Sequence, residues 1–487
     1  MKSKILFQSE GNHYLQDVTN NLLLFLPCEL SKQIEKRLGD PSSVVSEKSN
    51  YYARKAEFLI GKLADERTVV ENFSGRLSSE TIENTLANTR QITFELTERC
   101  NLSCEYCGYG ELYGDYSPRQ NKDLSWEYVH SLIEYMDKYW NSSKYASVNK
   151  SIAIGLYGGE PLLKVDLIKQ IMHLLKEKST NNLRFVYTMT TNGVLIDQYM
   201  DFLVENDVQL LISLDGDEYN NSYRVTKTGK NSFHTIVSNA MLLKERFPEY
   251  FREKVMFAAV LHNRNSVSDI NKFFREKFDK GVNISEVNPM GIRVEKKELF
   301  NTMYRNTVES LNQAEDYDRI KEDMFVSEPD TRTLMSYLHA YSGNCIKNYK
   351  GFFVDKESEN WLPTGTCVPF GKRIFLTADG KILPCERISH QYTLGYIDDN
   401  GVHIDCQGIA DKYNQYYDNL ESQCSNCYRL KHCLQCIFYL DDIESNPICQ
   451  GYFDEARFKR YLSENTAFLS RNPQLYKKIM TEVILED

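Results

Sequence analysis

No run of eighteen or more apolar residues occurs in the chain, which excludes a membrane-crossing helix of ordinary length. The opening Met1-Lys2-Ser3-Lys4-Ile5-Leu6-Phe7-Gln8-Ser9-Glu10 holds too short an apolar stretch for a secretory signal. Glycine and proline are sparse, 24 and 12 among 487 residues, so collagen-like and linker-dominated architectures are out. An excess of basic charge is missing too. Against 68 Asp and Glu stand 58 Lys and Arg, a net charge of −10 that argues against a duplex nucleic-acid partner. Repeats and low-complexity tracts are also lacking. What remains is globular, with 41 % hydrophobic, 26 % charged and 12 % aromatic residues and length enough for several domains. These absences predict a cytoplasmic protein with neither a membrane nor a nucleic-acid partner.

Cysteine, by contrast, is plentiful, and its distribution is uneven. Of thirteen, Cys28 stands alone, three fall between Cys100 and Cys107, and nine between Cys345 and Cys449. In a reducing compartment, clustered thiols point to metal binding or catalysis more than to disulfides.

From residue 91, short β-rich runs alternate with stretches of helical period, the pattern of parallel strands joined by crossover helices. Six strands are expected, near 91–97, 151–157, 183–190, 208–214, 254–261 and 284–289. The segment 164–178 places Ile168, Ile171, Met172 and Leu175 on one helical face, and Phe233, Ile236, Val237 and Ala240 form a similar stripe. Both stripes read as core. Residues 1–90 read as a small α+β domain, with a hairpin over His13 to Pro27 turning at Asn20-Asn21 and a helix from Glu29 to Leu38. Residues 295–343 read as a polar helical bridge, 344–450 as a cysteine-rich domain and 451–487 as a helical tail.

The loops after the strands carry the chemistry. They are Cys100-Asn101-Leu102-Ser103-Cys104-Glu105-Tyr106-Cys107, then Gly158-Gly159-Glu160-Pro161, Thr191-Asn192-Gly193 and Asp215-Gly216. In barrels of parallel strands the active site is assembled at that edge. Three thiolates on one short loop saturate neither tetrahedral zinc nor a four-iron cluster, and so leave one coordination position open. A zinc site completed by a distant histidine, or unrelated buried thiols, would fit the same three residues less well on a polar, glycine-containing loop.

Cys100-x3-Cys104-x2-Cys107, with Tyr106 before the last cysteine, resembles the radical S-adenosylmethionine (SAM) enzymes. The resemblance implies a partial (β/α)6 barrel over 91–294, in an α/β fold, and a [4Fe–4S] cluster on these cysteines that binds SAM and cleaves it to a 5′-deoxyadenosyl radical. Gly158, Gly159 and Glu160 resemble the family's GGE motif, whose glycines would allow close backbone approach and whose carboxylate would accept from the SAM ammonium, although alone the sequence is also that of an ordinary turn. Thr191, Asn192 and Ser213 resemble the corresponding loop residues. Arg224, with Ser213, would meet the SAM carboxylate, or else is a solvated surface arginine.

The C-terminal cysteines resemble the SPASM extension of these enzymes: Cys367-x12-Gly380-x4-Cys385, then Cys424-x2-Cys427-x5-Cys433-x2-Cys436, then Cys449. With Cys345 upstream, and Cys406 set aside, eight thiolates make two sets of four, as a pair of structural zinc ribbons would also require. The resemblance implies two auxiliary [4Fe–4S] clusters, one on Cys345, Cys367, Cys385 and Cys436, the other on Cys424, Cys427, Cys433 and Cys449. The spacing departs from the family's in placing two residues rather than three between Cys433 and Cys436. Cys28 and Cys406 read as ordinary thiols.

Within that group the chain looks like the maturases of ribosomally made peptides, including those with Gly-Gly precursors. The resemblance implies a precursor peptide whose leader adds as a strand to the N-terminal domain, a reductant such as flavodoxin or ferredoxin, and cross-linking (thioether, C–C or C–O) or epimerisation. A formylglycine-forming sulfatase maturase is the alternative. There an Asp follows the second extension cysteine as base, where this chain has Glu386. A zinc-dependent binding module and an iron–sulfur electron carrier without SAM chemistry are the readings from other classes.

Overall fold

The computed structural model describes residues 3–18, 21–39, 51–63, 75–114, 119–146, 151–180, 183–289, 291–323, 325, 329–341, 362–430 and 433–483. They fall into two compact units. One comprises Leu77–Met324 with Cys367–Tyr413, the other Met1–Arg76, Phe325–Thr366 and Asn414–Asp487.

The first unit is built on a sheet whose six parallel strands follow the expected alternation: β4 (Gln91–Glu95), β5 (Ser151–Tyr157), β6 (Arg184–Thr191), β7 (Gln209–Ser213), β8 (Val255–Leu261) and β9 (Val282–Glu286), in sequential order. Ile92, Phe94, Ile154, Leu156, Leu210, Ile212 and Phe257 are buried on these strands. Near-continuous apolar runs of this kind are what a parallel sheet covered on its faces requires. Helix Val165–Lys178 buries Ile168, Ile171, Met172 and Leu175 as its period predicts. Helix Phe233–Arg246 buries Ile236, Val237 and Ala240, while Phe233 stays partly exposed and packs on Phe273.

The sheet does not stop at β4. Strand β10 (Ile374–Leu376) pairs in parallel with β4, Ile374 opposite Ile92. Strands β11 (Lys381–Leu383), β12 (Gly395–Asp398) and β13 (Gly401–Ile404) extend it by antiparallel pairing to ten strands. The first part of the cysteine-rich segment thus completes the barrel's sheet. Gly380 turns the β10–β11 hairpin at φ +84°, and a Cβ there would press on Tyr128 and the Ile397 carbonyl. A glycine avoids both costs.

The second unit holds an antiparallel sheet of β1 (Lys4–Ser9), β2 (Asn12–Asp17) and β3 (Leu22–Leu26), in that order. The expected hairpin is β2–β3, joined by a third strand ahead of it. Leu15 and Leu26 pack against Leu30, Ile34 and Ala56 of helices Cys28–Gly39 and Tyr51–Leu63. The outer edge of β1 is covered by helix Glu455–Arg471, where the Ser9 hydroxyl donates to the Ser463 carbonyl at 2.8 Å and the Ser463 hydroxyl to the Gln8 carbonyl at 2.7 Å. Among the described residues no strand pairs with the outer edge of β3. Helix Pro329–Tyr341 buries Leu334, Tyr337 and Tyr341 in the same core as Phe458 and Leu462. No helix among the described residues is long and apolar enough to cross a membrane.

Candidate functional site

The expected barrel-site residues gather where the parallel strands end. Past β4 the chain runs beside the end of β5, with Leu96 N–H donating to the Tyr157 carbonyl (2.9 Å), Gly159 N–H to Thr97 (2.8 Å) and Glu160 N–H to Arg99 (2.9 Å). A Cβ at Gly158 would overlap the Thr97 carbonyl, and one at Gly159 the Arg99 carbonyl. The close approach that these glycines permit is therefore to the chain's own backbone, one residue ahead of Cys100.

The cysteine loop is docked on the segment after β7. Ser103 N–H donates to Val225 at 2.7 Å and Glu105 N–H to Tyr223 at 3.1 Å, and the loop turns where Cys107 N–H meets the Cys104 carbonyl at 3.1 Å. Cys100, Cys104 and Cys107 are partly exposed thiols. Burial, with the charges of the other thiols adding, pushes Cys104 up to about 12 and raises Cys100. Among the described residues no three His, Cys, Asp or Glu side chains are gathered as ligands of a single metal ion. In its donor chemistry the loop fits an iron–sulfur cluster. It offers three soft sulfur ligands, and Cys100 Sγ accepts N–H donors from Leu102 at 3.4 Å and Asn192 Nδ2 at 3.6 Å, an arrangement that favours the thiolate.

Glu160 is fully buried, its carboxylate accepting from Leu162 N–H (3.1 Å), the Thr191 hydroxyl (2.8 Å) and Asn192 N–H (2.8 Å). Burial pushes it up to about 7 despite these donors. It ties the loop after β5 to that after β6 and so fixes Asn192 beside Cys100.

Beneath the cysteine loop lies a buried polar hub that the sequence reading did not identify. Asp215 accepts from Arg224 Nε (3.0 Å) and an Nη (3.1 Å), from Val260 N–H (2.9 Å) and from the Tyr106 hydroxyl. His262, fully buried, holds Nε2 at 3.7 Å from the same carboxylate and stacks on Tyr106 with ring centroids 5.8 Å apart. Burial alone would raise Asp215, but Arg224 and His262 outweigh it and hold its carboxyl below the ordinary range. Arg224 is buried, so the solvated-surface reading fails: its forked guanidinium is paired with a buried carboxylate that offsets the cost of burying it. The signal available in the sequence was position, since Asp215 and His262 closely follow β7 and β8. Ser213 ends β7, partly exposed, opposite Ala258 of β8.

In the same unit, burial works against the Arg373 charge, but Glu386 first, then Cys385 and Cys367, outweigh it and raise the Arg373 pKa. Glu386 forms an ion pair with Arg373, which overrides burial and lowers its pKa, and Cys385 Sγ lies 3.5 Å from the carboxylate. Burial pushes Cys385 up to about 11. In the other unit, Cys424 and Cys427 are buried, whereas Cys433, Cys436 and Cys449 are partly exposed. Burial first, then the charges of Cys433, Cys427 and Cys449, raise Cys424, and Cys449 responds to burial and to Cys433 and Cys427. Those are the four thiols that the resemblance groups together. Cys345 lies outside the described residues. Cys28 is exposed, Cys406 partly so.

Residues 94–276 match the Radical SAM superfamily. A cysteine-type anaerobic sulfatase-maturating enzyme of Clostridium novyi is 26 % identical over 184 residues, 37 % of this chain and 46 % of that protein. The radical SAM cyclopropyl synthase TigE of Paramaledivibacter caminithermalis is 23 % identical over 355 residues, 71 % of this chain and 66 % of that protein. The chain thus spans less than two thirds of either relative's length. Among solved structures, a histidine-tagged anSMEcpe with bound AdoMet covers 81 % of this chain and 96 % of its own at 18 % identity, with a TM-score of 0.51. A likeness at that identity speaks for the fold alone.

Proposed function

We propose that this chain, which carries a radical SAM superfamily domain, modifies a ribosomally made precursor peptide, installing a thioether, C–C or C–O cross-link or an epimerised centre. Cys100, Cys104 and Cys107 would hold the cluster, with SAM on its open iron. Together they supply a carbon-centred radical able to take a hydrogen atom from a substrate C–H bond. Gly158 and Gly159 seat the cysteine loop. Glu160 and Thr191, buried behind it, hold Asn192 on one side of that mouth. Ser213 lies on the other, with the buried Asp215–Arg224 pair beneath the loop, where Tyr106 anchors it. Two auxiliary clusters, on Cys345, Cys367, Cys385 and Cys436 and on Cys424, Cys427, Cys433 and Cys449, complete the proposal, with flavodoxin or ferredoxin as electron donor.

The observation that carries the peptide reading is the edge of β3. Leu22-Leu23-Leu24-Phe25-Leu26 is wholly apolar, with Phe25 64 % exposed. Edge strands are ordinarily blunted by Lys, Pro or a covering element. Here β1 is covered, and among the described residues no strand pairs with β3 on its outer side, an edge suited to an added peptide strand. The test is fluorescence anisotropy with the labelled N-terminal half of a short peptide encoded beside this gene. Binding should weaken at least ten-fold in Phe25→Pro, which removes an outward-facing backbone N–H of the edge strand, while SAM cleavage persists. Equal binding by both proteins would refute strand addition.

Sulfatase maturation is favoured by one feature, the carboxylate after Cys385. Its pairing with Arg373 keeps Glu386 ionised but makes it a weak base. Aldehyde formation on a sulfatase-derived Cys or Ser peptide would decide for that reading.

A further inference from the structure

We propose that Asn192 is a positioning residue that donates a hydrogen bond to the Cys100 thiolate and thereby sets how readily the barrel cluster takes up an electron. The inference rests on the reading of the three-cysteine loop as a cluster site.

The orientation of the Asn192 amide is fixed by its surroundings. Its Oδ1 accepts Val194 N–H at 3.0 Å, so Nδ2 must face the other way, where it lies 2.6 Å from Asn101 Oδ1 and 3.6 Å from Cys100 Sγ. An amide carbonyl in that place would oppose the Asn101 oxygen, so the network settles which atom is nitrogen. Its backbone is fixed as well. Asn192 N–H is held by Glu160, and Thr191 Oγ1 donates to the same carboxylate while accepting Gly193 N–H at 3.1 Å. Asn192 is itself buried, which strengthens a charge-assisted bond and keeps water from replacing it.

Hydrogen bonds to cluster sulfurs are among the factors that set the potential of an iron–sulfur centre. A donor stabilises the more negative, reduced form, so its loss moves the potential down. Leu102 N–H is the other donor to Cys100 Sγ, but it is backbone and survives any exchange of the Leu102 side chain. Asn192 is the side-chain donor evolution can change.

The full chain, purified without oxygen, is titrated reductively and followed by electron paramagnetic resonance. The signal that changes when SAM is added identifies the barrel cluster. Asn192→Leu, close in size but without a donor, should keep wild-type iron and sulfide. Its reduced-to-oxidised ratio at fixed potential should fall about ten-fold, equivalent to about 59 mV for one electron. Asn192→Asp, which turns an acceptor on the sulfur, should fall further. An unchanged potential in Asn192→Leu would overturn the inference while leaving the cluster reading intact. Selective loss of the SAM-sensitive signal with wild-type thermal unfolding would overturn it in favour of a purely structural role. Absence of any SAM-sensitive signal in the wild-type chain would overturn the cluster reading itself.

Discussion

The thiols of the barrel loop and those of the C-terminal unit are held in opposite ways. Cys100, Cys104 and Cys107 are partly exposed and sit among polar partners: Asn192, Leu102 N–H, and a guanidinium whose charge favours the Cys104 thiolate. Cys424 and Cys427 are buried, and after burial the influences on Cys424 are only those of other thiols. Four thiols that feel one another's charge, two of them out of solvent, suit a closed structural centre. Three on a polar rim suit a centre that must exchange a ligand. The difference is one of environment: polar donors and a cation around the first set, burial and other thiols around the second.

Replacing one set alone tests that contrast most severely. Cys100→Ala, Cys104→Ala and Cys107→Ala together should abolish SAM cleavage, read as 5′-deoxyadenosine by chromatography. Iron should fall from about twelve to about eight atoms per chain, as expected for three four-iron clusters less one. Retained cleavage would sink the assignment of the barrel cluster. Zinc instead of iron in the wild type would sink both assignments.

Asp215→Asn strikes the seat of the barrel loop without touching a thiol. Arg224 would be left buried without its counter-charge, a change that costs about 3–5 kcal/mol. Urea unfolding should register the loss, and iron in the triple-cysteine variant should be unaffected by adding the substitution. A destabilisation below about 1 kcal/mol would mean that the hub is solvated in a way the burial of Asp215 does not allow.

Glu160 gives the smallest effect and one confined to a pH window. Its folded pKa of about 7 lies above the ordinary 4.5, so the folded chain holds this proton more tightly. The resulting stability is fully present below pH 4.5 and is lost as pH rises toward 7. It amounts to about 3 kcal/mol at most. Glu160→Gln should flatten the fall in unfolding free energy between these limits. An unaltered pH profile in the variant would assign the fall to other groups.

Much of this was legible in the sequence, and the limits have physical causes. The six parallel strands were readable because apolar runs and polar loops alternate locally. Strands β10–β13 were not, because each has only three or four residues and β10 finds its partner in β4, near the far end of the barrel sequence. The three-thiol loop was readable from its spacing, whereas the grouping of the C-terminal cysteines rested on the family resemblance. The hub was not, since Asp215-Gly216 reads locally as a turn, and the pairing of Asp215 with Arg224 and His262 joins three separate loops. The role of Gly158 and Gly159 was half-legible: tight approach was expected, but its object, the Thr97–Arg99 backbone, exists only once β4 and β5 are paired.

The pairing of β4 with β10 has a consequence in time. Ile92 waits for Ile374, 282 positions later, and a ribosome adding about 5–20 residues per second needs roughly 15–55 s to supply it. For that interval the first strand of the barrel shows an unpaired flank to the cell. A nascent chain stalled before residue 374 should therefore engage chaperones that release it once the C-terminal strands emerge.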